Sequence, residues 1–307
     1  MGQRPAAALR LATAALLLPL VLAACTGPAE PSSARGPSRP GSGSSGPTAG
    51  PTAGPIWGPI SGPTSGPTST GPRLDRWTVG AHPLPLRPDG FGEVLATPRV
   101  LRVRRLATVD LLAPPTDGRF HATISRVTPA VRTTMGQSWS PRCPVGLDDL
   151  RVLTMSFHGF DGRDHTGRMI VNERVATAVV GVFATLFRAR FPIEEMRPVA
   201  TADLTAPPTG DGNDTAAFVC RATRRQTTWS AHAYGLAIDL DPFMNPYHSG
   251  DLVLPELASS YLDRGWHRPG MVLPGGVATR AFAAAGWTWG GDFRTVSDLM
   301  HFSANGR

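Results

Sequence analysis

Lysine is absent from this chain: all 30 basic residues are arginine, against 23 acidic ones, for a formal net charge of +7. An excess built from one residue type reads as compositional bias, and no nucleic-acid motif accompanies it, so a nucleic-acid partner is not expected. The positive charge instead suits attraction to polyanionic surfaces, in a salt-screened way. Long apolar runs are also missing. The longest stretch, Leu11 to Ala24, is too short to span a bilayer comfortably. Cysteine is scarce, with three in 307 residues, and only Cys143 and Cys220 lie beyond the N-terminal region.

What is present at the N-terminus points to export. Arg4 and Arg10 precede the apolar run, which ends in Leu22-Ala23-Ala24-Cys25. That ending resembles a bacterial lipoprotein signal, with residues 1–24 removed and Cys25 lipidated at the outer face of the cell membrane. An ordinary secretory signal and an uncleaved anchor are the competing readings. Residues 25–73 follow as a Gly/Pro/Ser/Thr-rich tether, with Gly-Pro recurring every four residues from Gly46 to Pro67. A period of four excludes the collagen triplet. Such composition offers little apolar surface to offset ordering entropy, so a disordered tether is expected. Its reach lies between about 40 Å as a coil and about 150 Å as extended polyproline. In an oxidising compartment Cys143 and Cys220 are expected to pair; the alternative is two buried thiols.

Two segments carry the chemistry. Ser230-Ala231-His232-Ala233-Tyr234-Gly235-Leu236-Ala237-Ile238-Asp239 supplies an imidazole and a carboxylate, and Asp298-Leu299-Met300-His301-Phe302 supplies another of each. Two histidines and one aspartate hold a zinc ion with a fourth position left for water, the pattern of a catalytic site. The second carboxylate, Asp298, is placed to act as a general base. Leu236 to Asp241 alternates as a strand, with Leu236, Ile238 and Leu240 on one face. A carboxylate in such a strand needs a partner, because desolvating an unpaired charge is costly. Taken singly, either segment also reads as a capped loop with a surface Asp or a stray His.

The pattern Ser-x-His-x-x-Gly-x-Ala-x-Asp followed by Asp-x-x-His-Phe resembles the zinc D-alanyl-D-alanine carboxypeptidase family, which includes L-alanyl-D-glutamate endopeptidases. Further stretches are similar to that family's carboxypeptidase-like branch: Gly159-Phe160-Asp161-Gly162 with His165 and Gly167, Phe191-Pro192-Ile193, Ala217 to Arg221, Asn245-Pro246-Tyr247 and Gly286 to Gly291. The resemblance implies zinc ligands His232, Asp239 and His301, a catalytic base Asp298, and Arg221 as oxyanion donor. It implies one zinc ion per chain and hydrolysis of peptidoglycan stem peptides. A non-catalytic peptidoglycan-binding module on the same scaffold is the alternative. Ser303 and His158 depart from the family pattern, where Glu and an aromatic residue are more usual.

The expected fold is α+β: a small antiparallel sheet with flanking helices, the Hedgehog/DD-peptidase-like zinc-binding fold. The peptidase domain is assigned to 139–307, and 74–138 to an N-terminal extension packed on it. Val152 to Phe157 and Phe120 to Ser125 read as strands. Asn172 caps a helix over 173–190, whose stripe of Val175, Val179, Val182, Phe183 and Leu186 is core packing. A second helix covers 278–285, stopped by Gly286. Asp298 to His301 is either one helical turn or a turn feeding a strand, and the resemblance favours the latter. His165 is expected to be structural, and His248 and His267 to lie in exposed loops. Trp229, Trp287 and Trp289 are read as core residues before groove walls.

Overall fold

The computed structural model describes residues 74–223 and 226–306. The signal segment, Cys25 and the tether to residue 73 lie outside the described residues. Among the described residues no helix is long and apolar enough to cross a membrane.

The chain is α+β, with short helices and antiparallel strands. Strand β1 (Ala122–Arg126), helix α1 (Pro129–Met135), β2 (Leu150–His158) and β3 (Asp164–Asn172) come first, followed by α2 (Ala176–Arg188) and α3 (Thr201–Thr205). Then come β4 (Ala237–Asp239), β5 (Tyr247–Ser249), β6 (Leu252–Leu254), α4 (Val277–Ala284), β7 (Thr288–Trp289), β8 (Ser297–Asp298) and β9 (His301–Ser303). Where one sheet was expected, the described residues form three small three-stranded sheets, in the orders β1-β2-β3, β4-β9-β7 and β6-β5-β8. All their pairings are antiparallel.

The expected strand from Leu236 to Asp241 is cut to three residues by a turn of the backbone at its end. Asp241 turns to a positive φ of 42°, and Pro242 after it has no N–H to extend a ladder. Its apolar face still goes inward: Ile238 and Leu240 are fully buried with Phe302, Leu299 and Phe282. A Phe or Ile so buried contributes about 1.5–3 kcal/mol. The predicted helix over 173–190 begins as a 3-10 turn at Glu173–Val175, then runs as α2. The Asn172 side chain accepts from the Arg174 N–H, as its capping role requires. Val179, Val182, Phe183 and Leu186 all enter the main core. Thus α2 and α4 cover one side of a core that β2, β3, β4 and β9 complete.

The residues before β1 are tied into this body by an ion pair. Arg104, with a side chain fully buried, donates to both carboxylate oxygens of Glu194 at 2.7 and 2.5 Å. Its third nitrogen donates to the Asp211 carbonyl at 2.7 Å, and its guanidinium lies 4.4 Å from the Phe243 ring centre. A charge this deep is tolerated because every face of the fork finds a partner.

His165 is structural, buried between Asp110 at 2.7 Å and Asp161 at 3.0 Å. His158 stacks on Phe187 and pairs with Asp164, consistent with packing. His267 is exposed, but His248 lies in β5 and is half-buried, not in an exposed loop. Cys143 and Cys220 are disulfide-bonded, joining the loop before β2 to the segment that leads to Arg221.

Candidate metal centre

His232 sits in a single 3-10 turn, Ala231–Tyr234, whose start is capped by the Ser230 hydroxyl accepting from the His232 N–H at 3.3 Å. The turn ends at Gly235, whose φ of 66° is left-handed. A Cβ there would also lie 2.5 Å from the Asn172 backbone nitrogen. Glycine is therefore needed twice, for conformation and for close approach to the end of β3. The Asn172 N–H donates to the Gly235 carbonyl at 2.9 Å, and its side-chain amide donates to the Tyr234 carbonyl at 3.1 Å. The turn is thus fixed to the end of β3.

Asp239 and His301 face each other directly across β4 and β9. His301 follows a tight turn from Asp298, and this turn has a brace. The Trp289 indole donates to the Leu299 carbonyl at 2.8 Å. Gly290 lies against the same turn: a Cβ on it would stand 2.5 Å from the Asp298 carbonyl oxygen and 3.1 Å from the His301 Cβ. The Asp298–His301 stretch is therefore a turn between β8 and β9, not a helical turn.

These elements bring three ligand atoms together, all within 4.8 Å of one another. His232 Nε2 is 3.2 Å from His301 Nδ1 and 3.3 Å from Asp239 Oδ2, and His301 Nδ1 is 3.2 Å from Asp239 Oδ1. His232 Nδ1 lies 2.6 Å from the Ala217 carbonyl, an acceptor only, so this nitrogen carries the hydrogen. Nε2 is then left with its lone pair facing the other two atoms. A backbone carbonyl behind a ligating imidazole is how a metal-binding tautomer is selected. Both rings are buried. Burial works against the Asp239 charge; as cations the two imidazoles outweigh it and hold its carboxyl well below the usual carboxylate range, and as neutral lone-pair donors they would leave that task to a metal ion. Convergent lone pairs from two imidazoles and one carboxylate fit a zinc ion, whose ligands are nitrogen, sulfur and oxygen in tetrahedral number.

Asp298 and Arg221 line the same cavity of about 620 Å³ as these ligands. Arg221 is half-buried, and its backbone carbonyl accepts from the Ser230 N–H at 3.1 Å, beside the His232 turn. Trp229, Tyr247 and Phe293 complete the wall. Trp229 is 39% exposed, a groove residue, whereas Trp287 and Trp289 are core. Sequence reasoning left out the roles of Ala217, Trp289 and Gly290. The Gly286-Trp-Thr-Trp-Gly-Gly run pointed to the last two, while nothing in a sequence marks a backbone carbonyl.

Two imidazoles and a carboxylate around one point, with a second carboxylate and an arginine on the same cavity, make a candidate mononuclear metal site of the donor set that hydrolytic sites use. Residues 223–304 match the family model described as D-alanyl-D-alanine carboxypeptidase, the family that the motifs resembled. The match takes in His232, Asp239, Asp298 and His301 and stops short of Arg221. Neither the curated proteins nor the solved structures gave a match.

Proposed function

We propose that this protein is a zinc-dependent peptidase that hydrolyses peptidoglycan stem peptides, as a D-Ala-D-Ala carboxypeptidase or an L-Ala-D-Glu endopeptidase. The observation that carries the reading is the convergence of His232, Asp239 and His301 beside Asp298 in one cavity. The family match supports the peptidase class. In this reading the fold is of the DD-peptidase-like zinc-binding type.

His232, Asp239 and His301 hold the zinc ion, which when bound supplies Lewis acidity to the site. Asp298 takes the proton of the attacking water and returns it to the leaving amine. Arg221, always charged and a multiple donor, hydrogen-bonds the oxyanion as it develops. The aromatic walls orient the peptide and thin the water around it. We further propose that the chain is exported and lipid-anchored through Cys25 at the outer face of a bacterial membrane, with the tether letting the domain sample the wall.

The test is mass spectrometry of defined muropeptides incubated with the full chain, with zinc and with chelator. Chelator-sensitive loss of a terminal D-Ala identifies a carboxypeptidase, and cleavage after L-Ala an endopeptidase. A folded, zinc-loaded protein that binds muropeptides without cutting them is a wall-binding module instead.

A further inference from the structure

The cavity beside the metal ligands has a second arm, and the residues before β1 build one of its walls. This arm, of about 670 Å³, shares His232, Asp239, Leu254 and Met300 with the arm that holds Arg221 and Asp298. Val79, Gly80 and Phe91 line it as well. That wall is fixed in place. The Trp77 indole and the Gly80 N–H both donate to Asp211, at 2.8 and 3.1 Å. The Leu84 N–H donates to the Pro208 carbonyl at 2.8 Å, and the Gly92 N–H to Glu256 at 2.9 Å. Gly92 has no room for a side chain, since a Cβ would sit 2.9 Å from Leu84 Cδ1 and 3.1 Å from Glu256 Oε1.

The two arms differ in charge. Glu195, Asp203 and Asp214 line the second arm around a single guanidinium, Arg197. Arg197 bonds Glu195 at 2.6 Å and Asp203 at 2.7 and 2.8 Å, so its charge is already spent. This lining repels a terminal carboxylate and accepts an amino group, while Arg221 offers the opposite preference in the first arm. Burial pushes the Asp214 carboxyl up to about 8, against the pull of Arg197, and an incoming ammonium would favour its charged form.

We propose that Val79 and Phe91 form a peptide-binding wall that extends the substrate cleft, with Phe91 as a specificity-determining residue for the amine-bearing part of the stem peptide. This inference rests on the peptidase reading for its ligand. Nothing in the family-matched segment supplies that wall, so substrate length is sensed by residues outside it.

Phe91→Ala in the full chain tests the wall. For a stem pentapeptide that contains a diamino acid, KM and the calorimetric Kd should rise about tenfold, with kcat unchanged. For an acylated dipeptide that contains only the cleaved bond, KM should stay unchanged, as should the melting temperature. Acetylating the side-chain amine of the pentapeptide should weaken its binding to wild type. An unchanged pentapeptide Kd in Phe91→Ala overturns the wall, as does an equal loss on both substrates. Tight, Phe91-dependent binding without any hydrolysis would sink the peptidase reading alone and leave the wall standing.

Discussion

The indole of Trp289 holds the Leu299 carbonyl at 2.8 Å, so a core side chain sets the turn that separates Asp298 from His301. Trp289→Phe keeps a benzene ring but removes the donor and the pyrrole half of the indole. The expected cost in stability is about 1–3 kcal/mol, from the lost hydrogen bond and the vacated core volume. The loss in kcat should be larger than that stability change explains, because the turn carries His301 and Asp298, the proposed ligand and base. Thermal melts and steady-state kinetics on the same preparation separate the two effects.

Asp298 and His232 should fail differently. Asp298→Asn is expected to retain one zinc per chain while hydrolysis falls by about 10²–10⁴-fold, the usual worth of a general base. His232→Ala should lose metal and activity together. Metal content by plasma mass spectrometry decides the matter, and a metal-free Asp298→Asn protein would remove Asp298 from the role of base.

Gly290→Ala places a methyl group against the Asp298 carbonyl oxygen and the His301 Cβ, at 2.5 and 3.1 Å before relaxation. The backbone oxygen cannot swing away as a side chain would, so the turn must shift. Zinc affinity and hydrolysis should both drop, by about 10-fold or more, as they do when the supports of a metal ligand are disturbed. Competition with a chromophoric chelator reads the affinity directly.

The Cys143–Cys220 bond closes a loop with a sequence separation of 77. Chain entropy alone gives such a closure about 4.5 kcal/mol of stabilisation as an upper value. Reductant should lower the melting temperature, and the Cys143→Ser/Cys220→Ser double variant should melt at the same lowered temperature. An unchanged melting point with reductant would argue against the pairing.

Burial opposes the charge of Asp161, but His165 and Arg163 with their hydrogen bonds hold its carboxyl below the ordinary value of 3.8. A depressed carboxyl contributes stability that is present above its unfolded value and is lost as pH falls through the folded one. Acid unfolding should therefore include an Asp161 component below about pH 4. Asp161→Asn should be less stable at neutral pH and lose less on acidification. A variant with the same pH profile as wild type would contradict this linkage.

Much of the site could be read from the sequence because its ligands are side chains at short, fixed spacing. His232 and Asp239 share one turn and strand, and Asp298 and His301 flank one turn. The α2 stripe was legible for the same reason, a regular period with a capping Asn172. What escaped depends on contacts between distant segments. Asp241 in a left-handed conformation shortens β4, and its cause lies in the Thr215 and Glu194 groups that bond it from elsewhere. The Ala217 carbonyl that orients His232 has no residue-type signature. The irregular Val100 to Leu106 stretch carries Arg104 into the core, and no periodicity announces a buried arginine.

Arg104 also bears on how this protein is built as a heritable part. Were the chain cut after Ser138, Glu194 would keep its place inside the molecule with its arginine removed, and a lone buried charge costs several kcal/mol. The stretch that carries the family's motifs is thus not a cassette that can be lifted out and fused elsewhere. Any transplant would have to carry the residues around Arg104 with it.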